Sequence, residues 1–508
     1  MRLKNVFRNS FFSLMSQFVL IIMGFFSQRV MNLIMGEALV GMNSVIANII
    51  GILSVSELGI ASAIVFHLYR ALAVQDQEEI ASLMNLYRRA YYIFAVVISV
   101  AGLCVMPFVH MFLRENDFSL SYIRWIYFLW LARTVLTYLL SYKRSILIAD
   151  QREYIVSIVT LVINLLNYGC VIFIVLLWQN YQLALFLNIV VESLLNIWII
   201  RYVNKRYPFL KRYRKKLSEK GLVTIIFGDI KNIFVSRLSS KLLVSTDNLI
   251  ISSFISVVTV GLYANYSLIV QAVMNVMLAL AGAVQPTVGN LFTEHDQNKN
   301  HQVLRQMGFV FFLLAAFCSA SLMSLASIFV TDFWLAESYR LSVEIVICCV
   351  ANTYLFIMNL PTFIVMTVSG MFDKERNISV LYAAVNLVIS LILVRPLGVV
   401  GVLIGTFASY LVQLVFRIHF FFSNYLFKSS AGYVTDMVQY GALAILETVL
   451  TYWTVRIVYQ GGGLMRFILA MFICLCIPNI INLLIYMKSW RMQSIVHMIK
   501  DMGRNKNS

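Results

Sequence analysis

DIKNIFVSRLSSKLLVSTDNLIISSFISVVTVGLYANYS, residues 229–267, follows directly on a strongly basic segment and then turns apolar. A helix through it carries Lys231, Arg237, Lys241 and Asp247 into a stretch otherwise suited to hydrocarbon. A charge at bilayer depth costs about 2.5–3.5 kcal/mol on insertion scales, so such groups face a polar interior and mark a ligand or ion path. At about 100° per residue, Arg237, Lys241, Ser245 and Asn248 fall within about 80° of one another. They form one cationic, hydrogen-bonding stripe. Lys231 lies close enough to the helix end to snorkel to headgroups, and Arg237 stands at the margin of that reading. Lys241 and Asp247 lie too deep for it.

The rest of the chain has the same character. Of 508 residues, 60% are hydrophobic and 12% charged, and the mean hydropathy is +0.82. Globular chains carry about 25% charged residues, so a soluble fold is excluded. Many runs of 18 or more apolar residues give an all-α polytopic membrane protein. The first run, residues 11–35, is long and is followed by no small-residue cleavage site, so it reads as a span. The seven cysteines all lie inside apolar spans, without metal-ligand spacing.

About fourteen transmembrane helices are expected: 10–34, 41–66, 89–113, 122–142, 154–178, 182–203, 232–255, 260–285, 307–331, 341–369, 378–394, 399–422, 437–458 and 464–487. Twenty-nine Lys and Arg fall in the termini and alternate loops on one side, nine of them between Arg201 and Lys220; six fall on the other. The six are Arg114, Arg124, Arg340, Arg395, Arg456 and Arg466. This asymmetry assigns both termini to the cytoplasm. It also explains the net charge of +17 without nucleic acid.

The sequence repeats itself. Val40-Gly41-Met42 returns as Val260-Gly261-Leu262, 220 residues on. Asp150-Gln151-Arg152-Glu153, leading to Asn164-Leu165, returns as Asp373-Lys374-Glu375-Arg376, leading to Asn386-Leu387. Two matches at nearly one offset predict two six-helix lobes, 1–203 and 229–422, which an even helix count makes parallel. A basic cytoplasmic linker (204–228) joins them, and two additional transmembrane helices (423–487) and a tail (488–508) follow. The linker suits an anionic leaflet, and the tail from Lys488 has the pattern of a surface helix.

Buried polar groups concentrate in helices one, two, seven and eight. Arg29 stands in SQRVMN of the first helix; its planar guanidinium suits phosphate. The second carries Asn43, Asn48 and Glu57, and the eighth Asn265, Ser267, Gln271 and Asn275, the last two sharing a face. The candidate substrate-binding set is therefore Arg29, Arg237, Lys241, Asn48, Asn248, Gln271 and Asn275. Glu57 and Asp247 are candidates for counter-charges or ion-coupling groups. Arg133, Glu192, Glu344 and Glu447 are further intramembrane ionisable groups. Gly398, Gly401 and Gly405 are expected to permit close helix packing. No nucleotide-binding loop, metal motif or catalytic pattern occurs, which argues against an enzyme and calls for no cofactor.

The fourteen-helix plan, the STDNLIISSFISVVTVGLYANYSLI stretch and the SELGIASA segment resemble the polysaccharide transporters. These are lipid-linked oligosaccharide flippases of the multidrug/oligosaccharidyl-lipid/polysaccharide exporter superfamily. The resemblance implies two lobes opening alternately to either side and a cationic cavity for an undecaprenyl-diphosphate-linked oligosaccharide of O-antigen, capsule or exopolysaccharide synthesis. It further implies a bacterial cytoplasmic membrane, with membrane lipids, a polymerase and glycosyltransferases as partners. The Arg-rich, Asp-containing first-helix motif of peptidoglycan-precursor flippases is absent, as are the first-helix acids of cation-coupled drug exporters. A Na⁺- or H⁺-coupled multidrug exporter and an integral-membrane polymerase or transferase are the alternatives. Cavity cations favour the anionic substrate.

Overall fold

Backbone that crosses hydrocarbon must satisfy its hydrogen bonds internally, and the described residues do so with helices. The computed structural model describes residues 2–54, 60–115, 117–212, 238–239, 241–242, 245–292, 294 and 296–494. Twelve helices among the described residues are long and apolar enough to span a bilayer. The second expected span appears as α2 (Glu37–Leu53) and α3 (Ile60–Ala73), with residues 55–59 outside the described set. The seventh is described only in part, chiefly as α10 (245–254).

The chain divides into two compact units, residues 1–264 and 265–508. In the first, α1 (Arg2–Met35) packs on α7 (Glu153–Trp178) and on α2. There α5 (Leu120–Ser141) and α7 both pack on α8 (Tyr181–Arg206), and α3 lies against α4 (Gln77–Val105) and α6 (Arg144–Ala149). A short turn, α9 (Phe209–Arg212), follows. The 36-residue α11 (Val257–Phe292) begins in this unit and continues into the next.

In the second unit α12 (Gln297–Ile328) packs on α13 (Val343–Val368), α16 (Ala431–Val458) and α17 (Leu464–Tyr486). The hairpin of α14 (Phe372–Leu397) and α15 (Val399–Phe421) completes it. Gly401 and Gly405 permit that hairpin: a Cβ on Gly401 would stand 2.2 Å from the Leu393 carbonyl oxygen, and one on Gly405 2.1 Å from Ser390 Oγ. Gly398 turns the chain between the two helices at φ 58°. Ser409 donates to the Tyr382 carbonyl (2.9 Å) and Asn386 to Thr406 Oγ1 (3.0 Å), hydrogen bonds that need this approach.

Structure extends the internal repeat. Asp76 caps α4 by accepting from Glu78 and Glu79 N–H, and Asp296, 220 residues on, caps α12 through Asn298 and Lys299 N–H. Ser119 and Ser342, 223 apart, are the N-cap residues of α5 and α13. The two repeat glycines also meet. A Cβ on Gly41 would lie 1.9 Å from the Val257 carbonyl oxygen, and one on Gly261 would lie 1.9 Å from that of Glu37. The N-terminal turns of α2 and α11 thus cross main chain to main chain. Beside this crossing Arg114 donates from its N–H to Ser252 O (3.3 Å) and accepts from Val257 N–H (3.0 Å).

Two cations near the ends of expected spans are internal. Arg417, within the expected span 399–422, is 5% exposed and forks onto Glu375. Arg491, assigned to a surface-lying tail, is 8% exposed and donates to Asp436 at 2.7 Å, as does Arg305 at 2.8 Å. A carboxylate partner offsets the desolvation of each guanidinium. In the first unit Asp150 of the repeat motif accepts from Arg152 (3.0 Å) and from Tyr207 (2.6 Å). Burial first, and then this carboxylate, push the Tyr207 phenol above its usual range.

Candidate functional site

The deciding stretch meets α2. Lys241 is half-buried, and its chain passes over Gly51: a Cβ there would stand 2.7 Å from Lys241 Cε and 3.0 Å from Nζ. Gly51 lies in the last turn of α2, so the ammonium stands near the negative end of a helix dipole. Asn48, half-buried three residues earlier, lies on the same side of α2 and donates to the Ser44 carbonyl at 2.9 Å. Its carbonyl oxygen remains to accept.

Along the Lys241 stripe, Ser245 is fully buried and Asn248 half-buried, and among the described residues neither Ser245 Oγ nor Asn248 Oδ1 has a hydrogen-bond partner. Buried oxygens left this way ask for a donor or cation. The structure therefore brings a cation to a helix end, beside Asn48 of the same helix. Such a set can coordinate an anion through Lys241 and hydroxyl-rich groups through the oxygens. Asp247 on the same helix is buried.

Other expected site residues fall elsewhere. Arg29 is exposed, on the α1 stripe with Phe18, Ile22, Phe26 and Leu33. Gln271 is exposed and Asn275 half-buried on the part of α11 within the second unit. Arg237 and Glu57, with Lys231, lie outside the described residues.

Several supports were not legible beforehand. Asn43 accepts from Trp130 Nε1 (2.9 Å) and the Tyr181 hydroxyl (2.5 Å), tying α2 to α5 and α8. Tyr138 donates to the Ser54 carbonyl at 2.6 Å, fixing the end of α2 beside Lys241. Arg133 and Glu192 pair at 2.8 Å, and Thr137 donates to the same carboxylate at 2.9 Å. The spacing of Trp130, Arg133 and Thr137, on one helix face, was the available signal. Glu447 is fully buried, with no hydrogen bond of normal geometry to either carboxyl oxygen, although the Asn482 amide interacts with it.

A family model described as polysaccharide biosynthesis protein matches residues 6–292, more than half of the chain. Among solved structures the fold is similar to the lipid II flippase MurJ in an inward closed conformation. That match has a TM-score of 0.69 and 12% identity over 93% of this chain and 98% of that one. It is similar too to an inward-facing multidrug resistance MATE family transporter of the MOP superfamily, at TM-score 0.65 and 13% identity over 80% and 97% of the chains. A third is a MOP superfamily transporter from Pyrococcus furiosus Vc1, described by the reverse polarity of its binding pocket (TM-score 0.61, 14% identity, 84% and 97% covered). At these identities the likeness establishes the fold. No curated protein matches the chain in sequence.

Proposed function

Because this chain belongs to the polysaccharide biosynthesis protein family, we propose that it is a flippase for undecaprenyl-diphosphate-linked oligosaccharide repeat units. It moves them across the cytoplasmic membrane, by alternating access, for surface polysaccharide synthesis. Both termini face the cytoplasm, and the lobes 1–203 and 229–422 are the moving halves. The reciprocal contact of Gly41 and Gly261 supports that repeat.

The observation that carries the reading is Lys241 held over Gly51 at the end of α2, within an apolar stretch of the sequence. A diphosphate carried bare through hydrocarbon would be opposed by tens of kcal/mol on a Born estimate. A fixed ammonium with amide and hydroxyl groups replaces its hydration, while the lipid tail remains in the bilayer. The sequence stripe adds Arg237 to this cationic lining, Asn48 and Asn248 contact sugar hydroxyls, and Asp247 and Glu57 balance the charge.

The test is Lys241→Ala in cells that display the polymer. Surface polysaccharide should fall at least tenfold, about 1.4 kcal/mol of lost stabilisation, with unchanged membrane protein and accumulation of the lipid-linked precursor. Normal display would overturn the assignment.

A further inference from the structure

Two cavities of the second unit lie side by side and share part of their wall. The first, of about 310 Å³, lies where α12 and α16 end and α13 begins; Asp332, Arg340, Arg456 and Tyr459 reach into it. The second, of about 530 Å³, is apolar and runs between α12, α13 and α16. Met323, Val343 and Tyr452 line both. Together they make one recess with a polar head and an apolar shaft.

The shaft extends along α13 from Val343 to Leu355 and back along α16 from Trp453 to Gly441. Twelve residues on either helix correspond to about 18 Å. One leaflet of a hydrocarbon core measures about 15 Å. The shaft is therefore as deep as one leaflet is thick.

At the head, Arg340 is engaged by Glu337 (Nη2 to Oε2, 2.9 Å), and Asp332 accepts from the Tyr459 hydroxyl at 2.8 Å. Arg456 is exposed and lies 5.6 Å over the Trp453 ring, which also walls the shaft. Stacked in this way, its planar fork presents N–H donors suited to a phosphate. Tyr452 and Trp453 pack edge to face with ring centroids 6.0 Å apart, and Tyr459 lines the same cavity as Tyr452, an aromatic setting of the kind found at headgroup level.

We propose that this recess binds one phospholipid, its phosphate on Arg456 and an acyl chain in the shaft. In the orientation proposed above, the lipid belongs to the outer leaflet. The site uses none of the residues assigned to the transported substrate, so it stands or falls separately from that reading.

The experiment uses the delipidated full-length protein, incubated in detergent with phosphatidylglycerol or with diacylglycerol of the same chains, and counts bound lipid by native mass spectrometry. About one phosphatidylglycerol per chain should be retained, and diacylglycerol about tenfold less, since the head contact is charge-assisted. Arg456→Ala should lose phosphatidylglycerol about fivefold through the same contact. Gly441→Phe should lose it too by filling the shaft; the nearest atom to a Cβ at Gly441 is the Tyr354 hydroxyl at 3.9 Å, so no main-chain clash confuses the result. Arg395→Ala, at an exposed arginine outside the recess, should change nothing. Wild-type retention by either test variant, equal retention of diacylglycerol, or equal loss in Arg395→Ala would each overturn the proposal.

Discussion

Gly51 matters for what it leaves room for. A larger side chain there would meet only the far end of Lys241, which a flexible stem can move at little cost to the fold. Gly51→Val should therefore leave the melting temperature within a few degrees, equivalent to about 1 kcal/mol or less. Polymer display should nevertheless fall as far as in Lys241→Ala. Loss of folded protein, seen as aggregation on size-exclusion chromatography, would contradict this division between structure and use. Lys241 could be singled out from sequence because a lysine in an apolar run is conspicuous. A glycine in an apolar helix is silent until the element that crosses it is known, and so Gly51 was not anticipated.

The crossing of α2 and α11 belongs to the scale of elements. Its contacts are carbonyl oxygens against glycine backbone, not side-chain tips, so a substitution cannot be absorbed by rotamer change. Gly41→Val or Gly261→Val should abolish this packing and favour whichever state separates the two turns. Val260, fully buried at the crossing, provides the measurement. In Val260→Cys a membrane-impermeant maleimide should react slowly, and at least tenfold faster once Gly41→Val is added, after subtraction of labelling at the native thiols; a tenfold change reflects about 1.4 kcal/mol between states. Unchanged labelling would show that the turns stay together. Here the sequence was informative in an unusual way: the repeat of Val-Gly at one offset was legible, but not that its two copies touch.

Across the whole molecule, the ion pairs illustrate what hydropathy reads and what it misses. Asp436 holds two guanidinium groups, Arg305 and Arg491, and Glu375 holds Arg417. Removing one partner of a buried pair strands the other charge, at about 3–5 kcal/mol. Asp436→Ala should accordingly lower the thermal midpoint in detergent by well over five degrees. Glu375→Leu combined with Arg417→Leu should be milder than either alone, because the pair leaves together. A double variant as damaged as the sum of the singles would count against this coupling. The all-helical membrane fold was readable because twenty-odd apolar residues in sequence can do little else than span. The partner of Arg491 was not legible because a basic residue near a helix end looks the same in sequence whether it meets water or an acid 55 residues away.

The seam at Gly41 and Gly261 has a further meaning for a cell that cannot choose its surroundings. It contains peptide groups pressed against peptide groups, uncharged dipoles that dissolved salt screens little. In the proposed orientation it lies toward the exterior, where salinity fluctuates, while the ties of Asp436 and Glu375 to their guanidinium partners lie toward the buffered interior. The barrier facing the environment would then hold equally well in fresh water and in brine.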